Sequence, residues 1–153
     1  MPGERVTIGH LFVIRWDTVV EEDLAPLLRE VRALRDQTGR PVIYAAIQDD
    51  DYREPSARVK QSFKQLLPEL MKYMKVDYLV ILATGIQASL QRTILKAMFT
   101  SGRIAGMPYL DRVVIVDTFE EVLRREAADL PAPASEILTQ LRERGLLRAK
   151  VHP

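Results

Sequence analysis

Short apolar runs alternate along this chain with segments whose apolar positions recur every three or four residues. The runs cover residues 6–16, 41–48, 76–83 and 112–117 and predict β-strands, the last three buried on both faces. The intervening segments predict helices over about 20 or 22 to 37, 56–74, 86–101, 118–127 and 136–144. This alternation predicts an α/β sandwich with a mostly parallel sheet of four or five strands and helices packed on it.

Local signals place the ends of the first elements. Gly9 predicts either one long first strand with a bulge or a tight hairpin. Helix one begins either at Thr18, which forms a capping box with Glu21, or at Asp23, which places Pro26 in the first turn.

Signals in the later segments divide the rest of the chain. Pro68 predicts that helix two ends near residue 66 and resumes as a second short piece. Thr118 and Glu121 predict a capping box for a short helix. The sequence PAPAS over residues 131–135 is typical of a stiff linker. We therefore expect an α/β domain over residues 1–130 and a Pro-linked C-terminal helix and tail over 131–153.

Composition excludes several kinds of chemistry. The chain has 153 residues, 47% of them hydrophobic, and a net charge of +1, as expected of one globular domain. It has no cysteine, which removes disulfides, thiolate metal sites and a Cys nucleophile. Of the two histidines, His10 lies within the first apolar run, where a packed histidine is expected rather than a catalytic base. We expect no catalytic residues, metal or cofactor, no membrane span or signal peptide, and a cytoplasmic location.

Polar residues follow two of the predicted strands. Three aspartates directly follow the strand over 41–48, and a threonine ends the strand over 76–83. In α/β proteins such strand ends carry binding sites, and carboxylates there can hold Mg²⁺. The candidate regulatory site comprises Ser56, Asp49, Asp50, Asp51 and Thr84. These residues support an alternative function, that of a small-ligand or nucleotide-binding domain.

Helix three carries more apolar positions than one buried face needs. We assign one row to the core: Ile86, Leu90, Ile94 and Met98. The second row, Leu95 and Phe99, then faces a cover, either the loop after the helix or another subunit. The alternative is that both rows are buried, since a helix at the centre of a sandwich can be apolar on nearly all sides. The predicted interface comprises Leu95, Phe99, Arg92, Lys96, Met107 and Tyr109, and a homodimer is the expected assembly.

Helices two and three are also basic, which leaves nucleic-acid binding as a further alternative. Helix two carries Arg58, Lys60 and Lys64, and helix three carries Arg92, Lys96 and Arg103. Because these cations surround an apolar stripe, a protein interface fits them better than a nucleic-acid surface.

Residues 5–128 resemble a known family in their order of elements and hydrophobic pattern. The segments LRALRDQTGRPVIYAAIQ, AAIQDDDYREPSARV and RVVIVDTFEEVLRR look like the STAS domain, the anti-sigma-factor-antagonist fold, and its SpoIIAA-like relatives. The resemblance implies a non-enzymatic module of bacterial regulation and signaling that binds a protein partner or itself. It also places the family's phosphorylated serine at Ser56. Since Pro55 stands where the family has Asp, and the following Gly is missing, we predict that Ser56 is not strongly phosphorylated.

Overall fold

The computed structural model describes residues 4–104, 106 and 108–148, without the side chains of residues 103, 104 and 108. The described strands are β1 (Glu4–Ile8), β2 (Leu11–Trp16), β3 (Val42–Gln48), β4 (Met74–Ile81) and β5 (Val113–Val116). The described helices are α1 (Leu24–Thr38), α2 (Ala57–Met71), α3 (Ile86–Ile104), α4 (Phe119–Arg125) and α5 (Ala134–Glu143). Short 3₁₀ helices, Glu21–Asp23 and Pro108–Arg112, precede α1 and β5.

The strands form one mixed sheet in the order β1-β2-β3-β4-β5. β1 pairs with β2 in the antiparallel direction, and β2, β3, β4 and β5 are parallel neighbours in chain order. Right-handed crossovers between consecutive parallel strands place α1, α2 and α3 on one face of the sheet. The predicted α/β architecture and the parallel pairing of β3, β4 and β5 are confirmed.

The first apolar run forms a tight hairpin of β1 and β2, which is the second of the two predicted structures. Gly9 takes a left-handed φ of +53°, and a Cβ at this position would lie 2.5 Å from Cβ of Pro131. The turn therefore needs glycine both for its backbone and for the close approach of the segment before α5.

Helix α1 follows the second of its two predicted starts. Asp23 is the N-cap, and its carboxylate accepts a hydrogen bond of 2.9 Å from the Val20 amide. Gly39 ends the helix in the left-handed conformation, which lets the chain turn directly into β3.

The prediction that Pro68 divides helix two is wrong. α2 runs without interruption from Ala57 to Met71, with Pro68 inside it. Both Pro68 and Lys64, whose carbonyl loses its usual amide donor, are exposed. Water can satisfy that carbonyl, while Leu67 and Leu70 on the opposite side remain buried and hold the helix on the sheet.

Buried side chains of the described residues form clusters on both faces of the sheet. α1 and α2 cover the face that carries Phe12, Ile14 and Tyr44. α4 and α5 cover the opposite face. The buried residues that α5 and the segment after it bring to that face are Ile137, Leu141, Leu146 and Leu147. α5 and the segment up to Leu147 therefore complete the same core as the sheet.

A cluster of charged side chains lies near the amino ends of the parallel strands. Glu126, buried on α4's C-terminal side, accepts hydrogen bonds from Lys75 at 2.7 Å and from the Tyr78 hydroxyl at 2.5 Å. Asp129 lies 3.3 Å from Nε2 of His10, which is buried as expected. Burial acts to raise the pKa of Asp129, but the hydrogen bond from Lys75 and the nearby His10 outweigh it and hold that pKa below its usual value. His10 thus has a packing role.

Candidate functional site

A large apolar cavity lies between the sheet and helices α2 and α3. Its volume is about 830 Å³, within the range of sites that enclose a small molecule. Large apolar side chains from the sheet, α2 and α3 make most of its wall. They include Trp16, Tyr44, Phe63, Leu67, Leu79 and Phe99.

Small residues at three separate places leave this space unfilled. Ala46 on β3, Ala83 after β4 and Ala88 on α3 all line the cavity. A well-packed interior would fill such positions with larger side chains. Here the short side chains leave volume between the two helices and the sheet that larger side chains would occupy.

One ionisable side chain, Asp77 on β4, lines the inner wall. Its register partners are Tyr44 on β3 and Val113 on β5, and 8% of the residue is exposed. Asp77 makes no side-chain hydrogen bond or ion pair with any residue that the structure describes. Burial raises the pKa of its carboxyl from 3.8 to about 7. The cavity therefore contains a carboxyl group whose charge changes near neutral pH.

Aromatic residues surround the same part of the wall. The Trp16 indole N–H donates a long hydrogen bond of 3.5 Å to the Tyr44 hydroxyl. Tyr44 also stacks on Phe12 with ring centroids 5.6 Å apart. Burial, then the nearby charge of Asp77, raises the pKa of Tyr44, so its hydroxyl stays protonated. This end of the cavity offers aromatic surface beside a carboxyl.

The predicted acidic loop lies at the cavity mouth. The Asp50 carboxylate accepts a hydrogen bond of 2.9 Å from the Thr84 amide, so two of the candidate residues meet. Arg148 lies 3.3, 3.9 and 3.7 Å from carboxylate oxygens of Asp49, Asp50 and Asp51 respectively. The loop is thus held by a cation from the C-terminal segment, which the sequence reading did not find.

Ser56 is exposed and caps α2. Its hydroxyl accepts a hydrogen bond of 3.2 Å from the Val59 amide, as expected of an N-cap residue. Nothing in this geometry tests phosphorylation, so the statement about Ser56 stays a prediction.

The predicted rotation of helix three is wrong. The row assigned to the core is exposed, with exposed fractions of 87% for Ile86 and 51% for Ile94; the other two members are Leu90 and Met98. Leu95 and Phe99 are half-buried, and Phe99 packs against the core cluster of the α1–α2 face. Both residues line the cavity, as do Leu90, Ile94 and Met98 of the exposed row.

Arg92 explains the rotation. Its guanidinium donates to the carbonyls of Ile81, at 3.0 Å, and Ala83, and it lies 3.3 Å from the Asp117 carboxylate. Because these acceptors lie at the ends of β4 and β5, the face of α3 with Arg92 must turn toward the sheet.

The remaining predicted interface residues differ in their surroundings. Lys96 is exposed, whereas Tyr109 packs against the core cluster of the α1–α2 face. Met107 lies outside the described residues. The interface itself stays a prediction.

Clustered metal ligands and long apolar helices are the remaining features of interest in the described part of the chain. There, no group of three or more His, Asp or Glu side chains is arranged to hold a metal ion. Within the same residues, no helix combines the length and apolar character needed to cross a membrane.

The sequence reading overlooked Asp77, although a signal for it exists. An aspartate inside the apolar run VDYLVILA is unusual in a strand buried on both faces, because a buried carboxylate is costly without a partner. That signal marks an unusual position, but only the folded chain shows that the side chain faces a cavity.

Comparisons of the chain with protein-family models, with curated proteins and with solved structures give no match. The resemblance to the STAS domain therefore stays a prediction from the sequence.

Proposed function

We propose that this protein is a non-enzymatic binding module that takes an apolar or amphipathic small molecule into the cavity between the sheet, α2 and α3. The observation that carries the proposal is the cavity itself, about 830 Å³ with mostly apolar walls. Apolar enclosure provides affinity, and a few polar groups fix the orientation of a ligand.

The lining residues support binding more than catalysis. Among the described residues that line the cavity, none is a serine, cysteine or histidine, and the acidic groups other than Asp77 lie near its mouth. Among these residues the hydroxyl nearest a carboxylate is that of Thr84, which lies 3.5 Å from Asp50, near the mouth and away from Asp77.

Filling the cavity is expected to abolish binding. Ala88 is buried and lines the cavity, so the ring of an Ala88→Phe variant occupies ligand space. Ala97 on the same helix is exposed and lies outside the cavity lining, which makes Ala97→Phe the matched control. We expect Ala88→Phe to weaken binding of the uncharged fluorophore N-phenyl-1-naphthylamine by at least about tenfold.

Fluorescence titration of the three proteins measures this effect, with circular dichroism to show that each is folded. Equal affinity of the wild type and Ala88→Phe, or no binding by the wild type, contradicts the proposed cavity function.

A second candidate function rests on the exposed row of α3, which we define as Ile86, Leu90, Ile94 and Met98. We propose that a second copy of the chain covers this row. The acidic loop lies beside the start of α3 through the contact of Asp50 with Thr84, while Lys96 is exposed farther along the helix. If the α3 helices of two copies pack antiparallel, the acidic loop of each copy lies near Lys96 of the other copy. A self-associating regulatory module of the STAS type fits this arrangement.

Ile94→Glu is expected to convert such a dimer into a folded monomer, because it places a charge in the centre of the apolar contact. Gln65→Glu, at an exposed position of α2 outside the cavity lining, is the matched control. Sedimentation velocity of both variants and the wild type measures the change. A wild type that is monomeric at all concentrations contradicts self-association.

A further inference from the structure

We infer that the cavity selects ligands that carry a protonated amine on an apolar body, and that the carboxylate of Asp77 holds the ammonium group. This inference rests on the proposed small-molecule function and names its ligand class. It begins from the one feature of the inner wall that the apolar character of the cavity does not explain.

Asp77 is poorly satisfied by the protein alone. More than nine-tenths of the residue is buried, and the described residues provide its side chain with no hydrogen bond or ion pair. Buried carboxylates in proteins are ordinarily paired or hydrogen-bonded. An ammonium group supplies both an opposite charge and N–H donors, which is what this carboxylate lacks.

The remaining charges around the cavity favour the same sign of ligand. The acidic lining residues besides Asp77 are Asp49, Asp50 and Glu54. Among the described residues of the lining, Lys60 is the one cation, and its ammonium pairs with Glu54 at 3.0 Å. Arg148 likewise lies beside Asp49 and Asp50, which leaves Asp77 as the acidic lining residue without a cation among the described residues. A ligand cation is therefore favoured at Asp77 and a carboxylate is opposed there.

The position of Asp77 sets where the charge of the ligand lies. Asp77 is four residues before Ile81, the last residue of β4, which places it about 13 Å along the strand from the end near the acidic loop. Between Asp77 and the mouth the wall includes Leu79, Ile81 and Phe63. An amine held at Asp77 therefore leaves the apolar body of the ligand to extend along this wall.

Aromatic surface near Asp77 adds to the selectivity for a cation. Tyr44 is the register partner of Asp77, and Trp16 donates to the Tyr44 hydroxyl. An ammonium group beside an aromatic face gains a cation–π attraction that an alcohol or a carboxylate lacks.

Three ligands with one chain and different head groups test the inference: decylamine, decan-1-ol and decanoate. Each is titrated as a competitor of N-phenyl-1-naphthylamine on the wild type, on Asp77→Asn and on Asp36→Asn, which changes an exposed aspartate of α1. In the wild type we expect decylamine to bind at least about tenfold more tightly than decan-1-ol, and decanoate to bind most weakly. Asp77→Asn should lose this preference and keep its affinity for decan-1-ol, whereas Asp36→Asn should match the wild type.

The pH dependence provides a second readout. Decylamine affinity should rise between about pH 5.5 and pH 8 as the Asp77 carboxyl ionises, because its pKa is raised to about 7. Tyr44, which faces it from β3, stays protonated because its pKa is raised further. β5 presents Val113 to this position, α2 presents Lys60 paired with Glu54, and the lining residues of α3 are uncharged. The affinity of Asp77→Asn should not change over this range.

The outcomes separate the two proposals. If decylamine and decan-1-ol bind the wild type equally and Asp77→Asn changes neither, the amine inference is overturned and the cavity function stands. If decan-1-ol binds more tightly at low pH and decylamine gains nothing from Asp77, a protonated Asp77 serves as a hydrogen-bond donor, and the amine inference is again overturned. If no ligand displaces the fluorophore because the fluorophore itself does not bind, both proposals are overturned.

Discussion

Asp77→Asn is expected to raise the free energy of unfolding by several kcal/mol near pH 8 and to change it little near pH 4. Asn has nearly the same size as Asp but carries no charge at any pH. The expected gain therefore reports the cost of an ionised Asp77 that is buried among apolar side chains without a partner among the described residues.

The direction of the pH dependence follows from the raised pKa. Burial moves the pKa of Asp77 from 3.8 in the unfolded chain to about 7 in the folded protein. Between these values the folded protein keeps the proton and the unfolded chain does not, so stability falls by about 1.4 kcal/mol per pH unit. Above about pH 7 both states are ionised, and the accumulated loss is constant at on the order of 4 kcal/mol.

Urea unfolding of the wild type and of Asp77→Asn between about pH 4 and pH 8.5 measures this difference. Asp36→Asn, at an exposed position, is the matched control and should follow the wild type throughout. Parallel curves for the wild type and Asp77→Asn would show that Asp77 titrates normally, and would count against an unsatisfied carboxyl in the cavity.

A stability cost at Asp77 is what a binding role predicts. Residues that recognise a ligand are often unsatisfied in the free protein, and the ligand removes that cost on binding. A protonated amine that binds the carboxylate should therefore stabilise the wild type above about pH 7 more than it stabilises Asp77→Asn. The stability measurement and the binding measurement thus examine one property of the same side chain.

The sheet could be predicted from the sequence because its signals are local. Each central strand is a short apolar run bounded by a turn, and each connection contains a helix, which makes parallel pairing the normal outcome. The N-caps at Ser56 and Thr118 were equally readable, and both accept the expected backbone hydrogen bonds.

The cavity could not be predicted because it depends on contacts between distant segments. Ala46, Ala83 and Ala88 are unremarkable one by one, and they leave a space only where the fold brings them together. The rotation of α3 was ambiguous for a related reason. Both of its rows are apolar, so a period of 3.6 residues gives no choice between them. The anchoring of Arg92 on carbonyls after β4 makes that choice in the folded chain.

The contacts of the C-terminal segment could not be predicted either, because the local sequence indicated a linker. PAPAS has the composition of a linker, yet Pro131 packs at the Gly9 turn and Arg148 reaches the acidic loop. Both contacts join positions about a hundred or more residues apart in the chain, which no periodicity can indicate.

Removal of residues 131–153 is expected to unfold the protein. The deletion takes away four side chains, Ile137, Leu141, Leu146 and Leu147, all of which are buried in the cluster on the α4–α5 face. Each such side chain contributes about 1.5–3 kcal/mol when fully buried, so the loss is on the order of 6–12 kcal/mol. That loss is comparable to the whole stability of an ordinary domain, about 5–15 kcal/mol.

Circular dichroism and urea unfolding of the chain cut after residue 130 measure this effect, with the chain cut after Arg148 as the control that keeps all four side chains. A milder variant, Leu141→Ala, should lower the free energy of unfolding by about 2–5 kcal/mol, because Leu141 is completely buried. We expect the chain cut after residue 130 to be proteolysed or to aggregate. The deletion removes side chains from the cluster that also contains Val13, Ala45 and Val80 of the sheet. A cooperative unfolding transition of wild-type strength in residues 1–130 would instead show that the sheet and its first four helices fold without α5, and that the segment after residue 130 is an appended unit.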